Sequence, residues 1–355
     1  MNAAELWTEL SDAGLVKGAQ PEPEAGVSPW YVRLMLGIAG WIGALFLLGF
    51  VANALTAIVD DAASALVAGV LCCAAAFALF RTFAGQDFAE QFALALSLAG
   101  QGLLAVALAK VFRPQDPAFY FAFALVEAAL VLIVPAFLHR LLAACGAAIA
   151  LALAINELEL PGLTTPLFCA ALVLVWLDPV RWARGGRLWR PVGYGLVLAL
   201  MLVETFRLFG WDALFGRAAA SGWIAQHGPL LGRGLTSAVL VWVTVLLVTR
   251  EGFRFTSRGF LLTAGAAVLV GCLCLIAPGL GAALLILLLG FAAGNRLLMA
   301  IGILGLLGFA AHFYYSLHAT LLLKSGILAV TGLSLLAAFL FLRRTAGELD
   351  EVHHA

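Results

Sequence analysis

Charge is what this sequence has least of. Asp, Glu, Lys and Arg make up 11% of its 355 residues, where a soluble globular domain carries roughly 25%. So few charges cannot cover the surface of a water-soluble protein of this length, and the soluble classes fall away. The charges that are present cancel, 20 basic against 20 acidic, which removes the electrostatic footprint of a nucleic-acid-binding domain. Cysteine is missing where an oxidising compartment could pair it: Cys72, Cys73, Cys145, Cys169, Cys272 and Cys274 all lie in apolar runs. Cys272-x-Cys274 has no histidine or second cysteine pair nearby, so the spacing of a zinc site is lacking. P-loop, zincin, Gly-x-Ser-x-Gly and dinucleotide fingerprints are absent. Gly279-x-Gly281 lacks a third glycine and follows no strand pattern. No catalytic residue, metal ligand or cofactor is therefore assigned. The first residues carry Glu5, Glu9 and Asp12 before any apolar run and do not read as a signal peptide, which opens on basic residues.

What the chain has is apolar surface. The hydrophobic set makes up 64% of it and the mean hydropathy is +1.06. Long charge-free runs recur throughout, the pattern of an all-α, polytopic transmembrane helix bundle. About twelve spans are expected, with ten to twelve as the range. They are Leu34–Ala57, Ala62–Phe80, Phe88–Ala109, Pro117–Leu138, Leu141–Ile155 and Leu163–Leu177, then Pro191–Phe209, Gly234–Thr249, Gly259–Ala277, Gly279–Gly294, Leu297–Leu317 and Leu321–Leu342. A helix needs about 20 apolar residues to cross the hydrocarbon core. The fifth, sixth and tenth runs are shorter, so they borrow flanking residues or are shielded by neighbours.

Threading follows from the basic residues. With the N-terminus cytoplasmic and twelve spans, 14 Lys and Arg fall inside and 6 outside: Lys110, Arg113, Arg207, Arg217, Arg233 and Lys324. This positive-inside bias gives an N-in, C-in topology. The inner stretch from Arg181 to Arg190 carries Arg181, Arg184, Arg187 and Arg190 with Trp182 and Trp189, a cluster suited to anionic headgroups. The longest outer connection, 210–233, holds Trp211, Leu214, Phe215, Trp223 and Ile224. It reads either as a periplasmic helix lying in the interface or as a loop with buried anchors.

The organisation is then a cytoplasmic N-terminal segment over 1–29, a transmembrane domain over 30–342 and a cytoplasmic tail over 343–355. Leu6, Leu10 and Ala13 share one helical face, with Glu5, Glu9 and Asp12 forming an acidic outer face, an amphipathic helix. Gln20-Pro21-Glu22-Pro23-Glu24 is a linker. Leu6, Trp7, Leu10 and Ala13-Gly14-Leu15-Val16, followed by Ser28-Pro29-Trp30-Tyr31-Val32-Arg33, form one distinctive stretch. Phe313-Tyr314-Tyr315, Leu317, Thr320-Leu321-Leu322 and Lys324-Ser325, with Gly332 and Arg343, form another. In these stretches, under a fifth of the chain, the sequence resembles a bacterial membrane family known as domain of unknown function 4401. The resemblance implies a multi-helix protein of the bacterial cytoplasmic (inner) membrane and brings no established activity.

Ionisable groups within the membrane are costly and are functional candidates by default. Glu127 lies about ten residues, or ~15 Å, into the fourth span. Twelve Leu, Val, Ile and Phe residues there contribute about −4 to −7 kcal/mol to insertion against ~3 for one acid, so the helix still inserts. Glu127 is either a proton- or cation-coupling carboxylate or a hydrogen-bonding tie between helices. Glu204 and Arg207 stand at i and i+3 on one face of the seventh span, as an internal ion pair or an outer gate for an anion. Gln101, with Gln91, could bond either acid from a neighbouring helix. His312, Tyr314, Tyr315, His318 and Lys324 form the densest polar-aromatic group, either an outer-interface binding site or an aromatic belt with a snorkelling lysine.

Beyond the lipid bilayer itself, two functional classes fit. One is a non-catalytic component acting with a membrane-protein partner, in envelope assembly. The other is a proton-coupled secondary transporter with Glu127 as its coupling carboxylate.

Overall fold

The structure is a computed structural model that describes residues 3–14, 16, 61–83, 85–113, 116–209, 223–252 and 257–316, with isolated positions between 31 and 46 and residue 333. The first and twelfth expected spans, the Pro-rich linker and the C-terminal tail lie outside the described residues, as do Trp211, Leu214, Phe215, His318 and Lys324. Eleven helices are described and no strand among these residues. By contacts the chain forms two compact units, Met1–Ala107 and Leu108–Ala355.

In the first unit, α1 (Ala3–Asp12) is the expected N-terminal helix. Trp7 and Leu10 are half-buried, while Glu9, Asp12 and Ala13 are exposed. Gly14, at φ 68°, ends it. α2 (Ala62–Thr82) opens on Asp61, whose carboxylate accepts from the Ser64 amide at 2.7 Å. α3 is Asp87–Val111. α2 and α3 close on glycines: a Cβ on Gly100 would lie 2.9 Å from the Gly69 carbonyl oxygen, a spacing that small residues alone permit.

The second unit holds α4 (Pro117–Ile133), α5 (Phe137–Glu157), α6 (Thr164–Trp176), α7 (Pro179–Leu208), α8 (Trp223–Arg250), α9 (Arg258–Ile276), α10 (Leu280–Ala292) and α11 (Arg296–Ser316). Several starts follow from local chemistry. Asp116-Pro117 and Asp178-Pro179 place an N-cap carboxylate before a proline at the first helical position, where its missing N–H costs nothing. Ser257 caps α9 in the same way through Phe260.

Three boundaries differ from the apolar runs. α4 stops at Ile133 rather than Leu138, because Val134 precedes Pro135 and is extended at φ −88°, ψ 118°. α7 begins at Pro179, so the Arg181–Arg190 stretch is helical rather than a loop, bent at Gly185 (φ −144°, ψ 29°). α8 begins at Trp223, drawing the end of the 210–233 connection into a helix that carries Pro229 inside it. At Asp178-Pro179 the cap rather than the apolar run sets the helix start.

Among the described residues, seven helices are long and apolar enough to cross a membrane by length and composition: α2, α3, α5, α7, α9 and α11, and α8 from Gln226. α4 has 17 residues, and α6 and α10 have 13 each. At 1.5 Å per residue the last two measure about 20 Å, short of the ~30 Å hydrocarbon core. They are the inner layer: nine of the thirteen residues of α6 are buried. Phe168, Leu172 and Trp176 of α6 and Leu285, Ile286 and Leu289 of α10 meet Val197, Leu200 and Val203 of α7 and Leu240 and Val243 of α8 in one core. Leu125, Leu269, Phe291 and Leu304 are exposed, as lipid-facing side chains are in an integral membrane protein.

α10 ends in a Schellman motif: the Gly294 N–H (φ 61°) donates to Phe291 and the Asn295 N–H to Gly290, at 3.1 and 2.8 Å. Asn295 then caps α11, its Oδ1 accepting from Leu298 N–H at 3.1 Å, while its Nδ2 donates to the Tyr194 hydroxyl of α7 at 2.7 Å.

Candidate functional site

A cavity of about 640 Å³ opens where α6 and α10 begin and α5 and α7 end. Three Pro/Gly breaks frame it. Pro161 and Gly162 turn the chain from α5 into α6, Pro229 interrupts α8, and Pro278 and Gly279 turn α9 into α10. Gly162 packs on the backbone of Gly228 and Gly232, which is possible only because none of the three carries a side chain. Gly279 has φ 84°, and the Phe309 ring fills the place of its missing Cβ.

The polar wall comes from several helices. Glu204 and Arg207 project from the last turns of α7, Thr165 from the first turn of α6, and Arg233, Thr236 and Ser237 from α8. Glu204 is nearly enclosed, with 7% of its side chain exposed against 32% for Arg207. Its Oε1 accepts from the Thr165 hydroxyl and, at 3.5 Å, from Arg207 Nη1, which also donates to Thr165 Oγ1 at 2.9 Å. The carboxylate, hydroxyl and guanidinium form a closed triangle, which is how a buried charge is tolerated. Arg233 is different. Its Nη1 donates to the Leu275 carbonyl at 3.3 Å, a neutral acceptor in the last turn of α9.

The remaining candidates are dispersed. Glu127 is 1% exposed, with its Oε2 lacking a hydrogen-bond partner among the described residues. It faces Gly146 of α5, where a Cβ would come to 3.5 Å, and it does not line the cavity. Gln101 donates from Nε2 to Ser97 Oγ, one turn back in its own helix, at 3.4 Å. His312 meets the Phe209 ring edge-on at 5.6 Å, and Tyr314 meets Tyr315 at 5.4 Å. The expected Glu204–Arg207 pair is thus brought together with Thr165, and Glu127, His312, Tyr314 and Tyr315 are not among the lining residues. Near Arg181, the Asp178 carboxylate pairs with its Nε at 3.0 Å and Trp189 lies beneath its guanidinium at 5.3 Å. Among the described residues, no group of three or more His, Cys, Asp or Glu is placed to hold a metal ion.

Thr165, Arg233, Thr236, Ser237 and Asn156 also line the cavity, and apolar-run reasoning passed over them. The signal that finds them is the breaks themselves. Pro161-Gly162, Gly228-Pro229 and Pro278-Gly279 each interrupt or flank a short apolar segment, and such interruptions mark sites built from discontinuous helices.

The model of the family described as Domain of unknown function (DUF4401) matches residues 29–345. No curated protein and no solved structure matches the chain.

Proposed function

The chain belongs to the DUF4401 family, and from that premise we propose that it is a multi-pass protein of the bacterial cytoplasmic membrane that binds a small polar solute and passes it across the bilayer. One observation carries this reading: a cavity of about 640 Å³ walled by Glu204, Arg207 and Arg233 inside a helical unit. Charged side chains in such a setting cost several kcal/mol each. The volume falls in the range of small-molecule sites.

In the threading that suits this reading, both termini are cytoplasmic, about twelve spans cross the bilayer within 30–342, and the cavity opens toward the periplasm. The distribution of basic residues supports it. Glu127 is the coupling carboxylate, buried away from the cavity on the α4–α5 face.

Proteoliposomes loaded with a pH-sensitive dye test the reading by screening small polar solutes for solute-dependent proton movement. Wild type is expected to give a signal that Glu127→Gln and Glu204→Gln abolish. A protein that is inert to every solute and co-purifies with a stable membrane partner overturns it. That result would favour the second reading, a non-catalytic component of envelope assembly, for which the exposed Glu9 and Asp12 of α1 offer an acidic docking face.

A further inference from the structure

We propose that the cavity selects organic anions: an oxyanion head held by Arg233 and Arg207, with an apolar body against the Val203, Leu208 and Ala282 wall. This rests on reading the cavity as a solute site and adds the class of solute.

The charges that line the cavity are two guanidiniums and one carboxylate. The carboxylate is already engaged, because Glu204 Oε1 accepts from both Thr165 and Arg207. Arg233 has no acidic partner among the described residues and bonds only a backbone carbonyl. Both arginines use Nη1 for their protein contacts. That leaves Nε and Nη2, three N–H groups on each, for a ligand. A guanidinium presents such groups as a planar fork that fits a carboxylate or phosphate in bidentate fashion.

The short α10 adds to the same field. It begins at Gly279 with no side-chain cap, and Gly281 and Ala282 of its first turn line the cavity. First-turn amides have no intrahelical acceptor and favour negative charge. Glu204 offsets Arg207, so the wall keeps one positive charge, that of Arg233, beside the first-turn amides of α10, and a bound anion completes it. Size excludes a bare inorganic ion as a good fit. At ~30 Å³ per water, about 640 Å³ holds on the order of twenty water molecules, and its apolar wall would stay unfilled. The same chemistry describes a soluble organic acid and the headgroup of an anionic lipid.

Cys274 lines the cavity and serves as a native reporter. Cys72 and Cys272, the two cysteines not buried, are replaced by Ser, and Asn156→Cys, at a lining position on α5, supplies a second reporter. The protein is reconstituted in phosphatidylcholine vesicles. It is treated with a sulfonate-bearing methanethiosulfonate and with its trimethylammonium analogue, each rate normalised to that of a free thiol. The normalised rate is expected to favour the anionic reagent by about tenfold. Arg233→Gln should lower that preference at least threefold, and Arg233→Lys should keep it. Benzoate should slow modification where choline does not, if the source is a soluble acid. Slowing only when phosphatidylglycerol is added to the vesicles identifies a lipid headgroup and equally supports the proposal. Reaction without anion preference, or protection by neither anion, overturns the anion assignment and leaves the solute cavity standing. No reaction at either reporter overturns both.

Discussion

Glu159 adopts a left-handed conformation, φ 57°, that L residues other than glycine enter at a cost. It does so because the end of α5 requires it. The Glu159 N–H donates to Asn156 and the Leu160 N–H to Ile155, at 3.0 and 3.3 Å, the two bonds of a Schellman closure. Glu159→Gly should therefore stabilise the protein by ~1 kcal/mol, read as a higher midpoint of thermal unfolding in detergent, and a lower midpoint would refute the strain. At this scale the sequence was partly legible. Glu204 and Arg207 announce themselves, three residues apart in an apolar run. Thr165 does not, because its contact with Glu204 spans 39 positions and only the fold supplies it. Gln101 has a local partner as well, Ser97 at i−4, which helical spacing alone could have supplied.

The close helix contacts are built on glycine, and not all glycines are equal. Gly195 of α7 faces α5 so tightly that a Cβ would meet the Leu141 carbonyl oxygen at 2.5 Å and the Cys145 amide nitrogen at 3.0 Å. Backbone atoms cannot step aside, so Gly195→Ala should destabilise by about 1–3 kcal/mol. Gly186, in the same helix, has nothing within 4 Å of the same position, and Gly186→Ala should be neutral or stabilising by up to ~1 kcal/mol. Chemical-denaturation midpoints of the two variants check the pair, and equal effects would contradict the packing. Spacing in the sequence does not separate a packing glycine from a helix-closing one. Gly290 packs against the Met299 backbone, whereas Gly294 closes a helix in open space. Element boundaries were misjudged where a cap rather than hydropathy sets the start, as at Asp178-Pro179, and where a proline sets the end, as at Pro135.

Across the whole molecule, hydropathy made the helical, lipid-facing character legible, because the bilayer tolerates little else. The cavity was hidden, since it is an interior shape formed by several segments distant in sequence. The proposed threading has its own test. A green fluorescent protein fused after Ala355 should fluoresce, alkaline phosphatase inserted after Arg254 should be inactive, and the same enzyme after Glu159 should be active; the reverse pattern would invert the orientation. Asn295 closes α10 with its amide, opens α11 with one side-chain atom and holds Tyr194 of α7 with another. It stands at the end of α10 opposite the cavity. The second unit is thus tied at one end and hollow at the other, like a pair of tongs. On the proposed reading, widening around a solute is expected to be larger at the Glu204 rim than at the tied end by Tyr194.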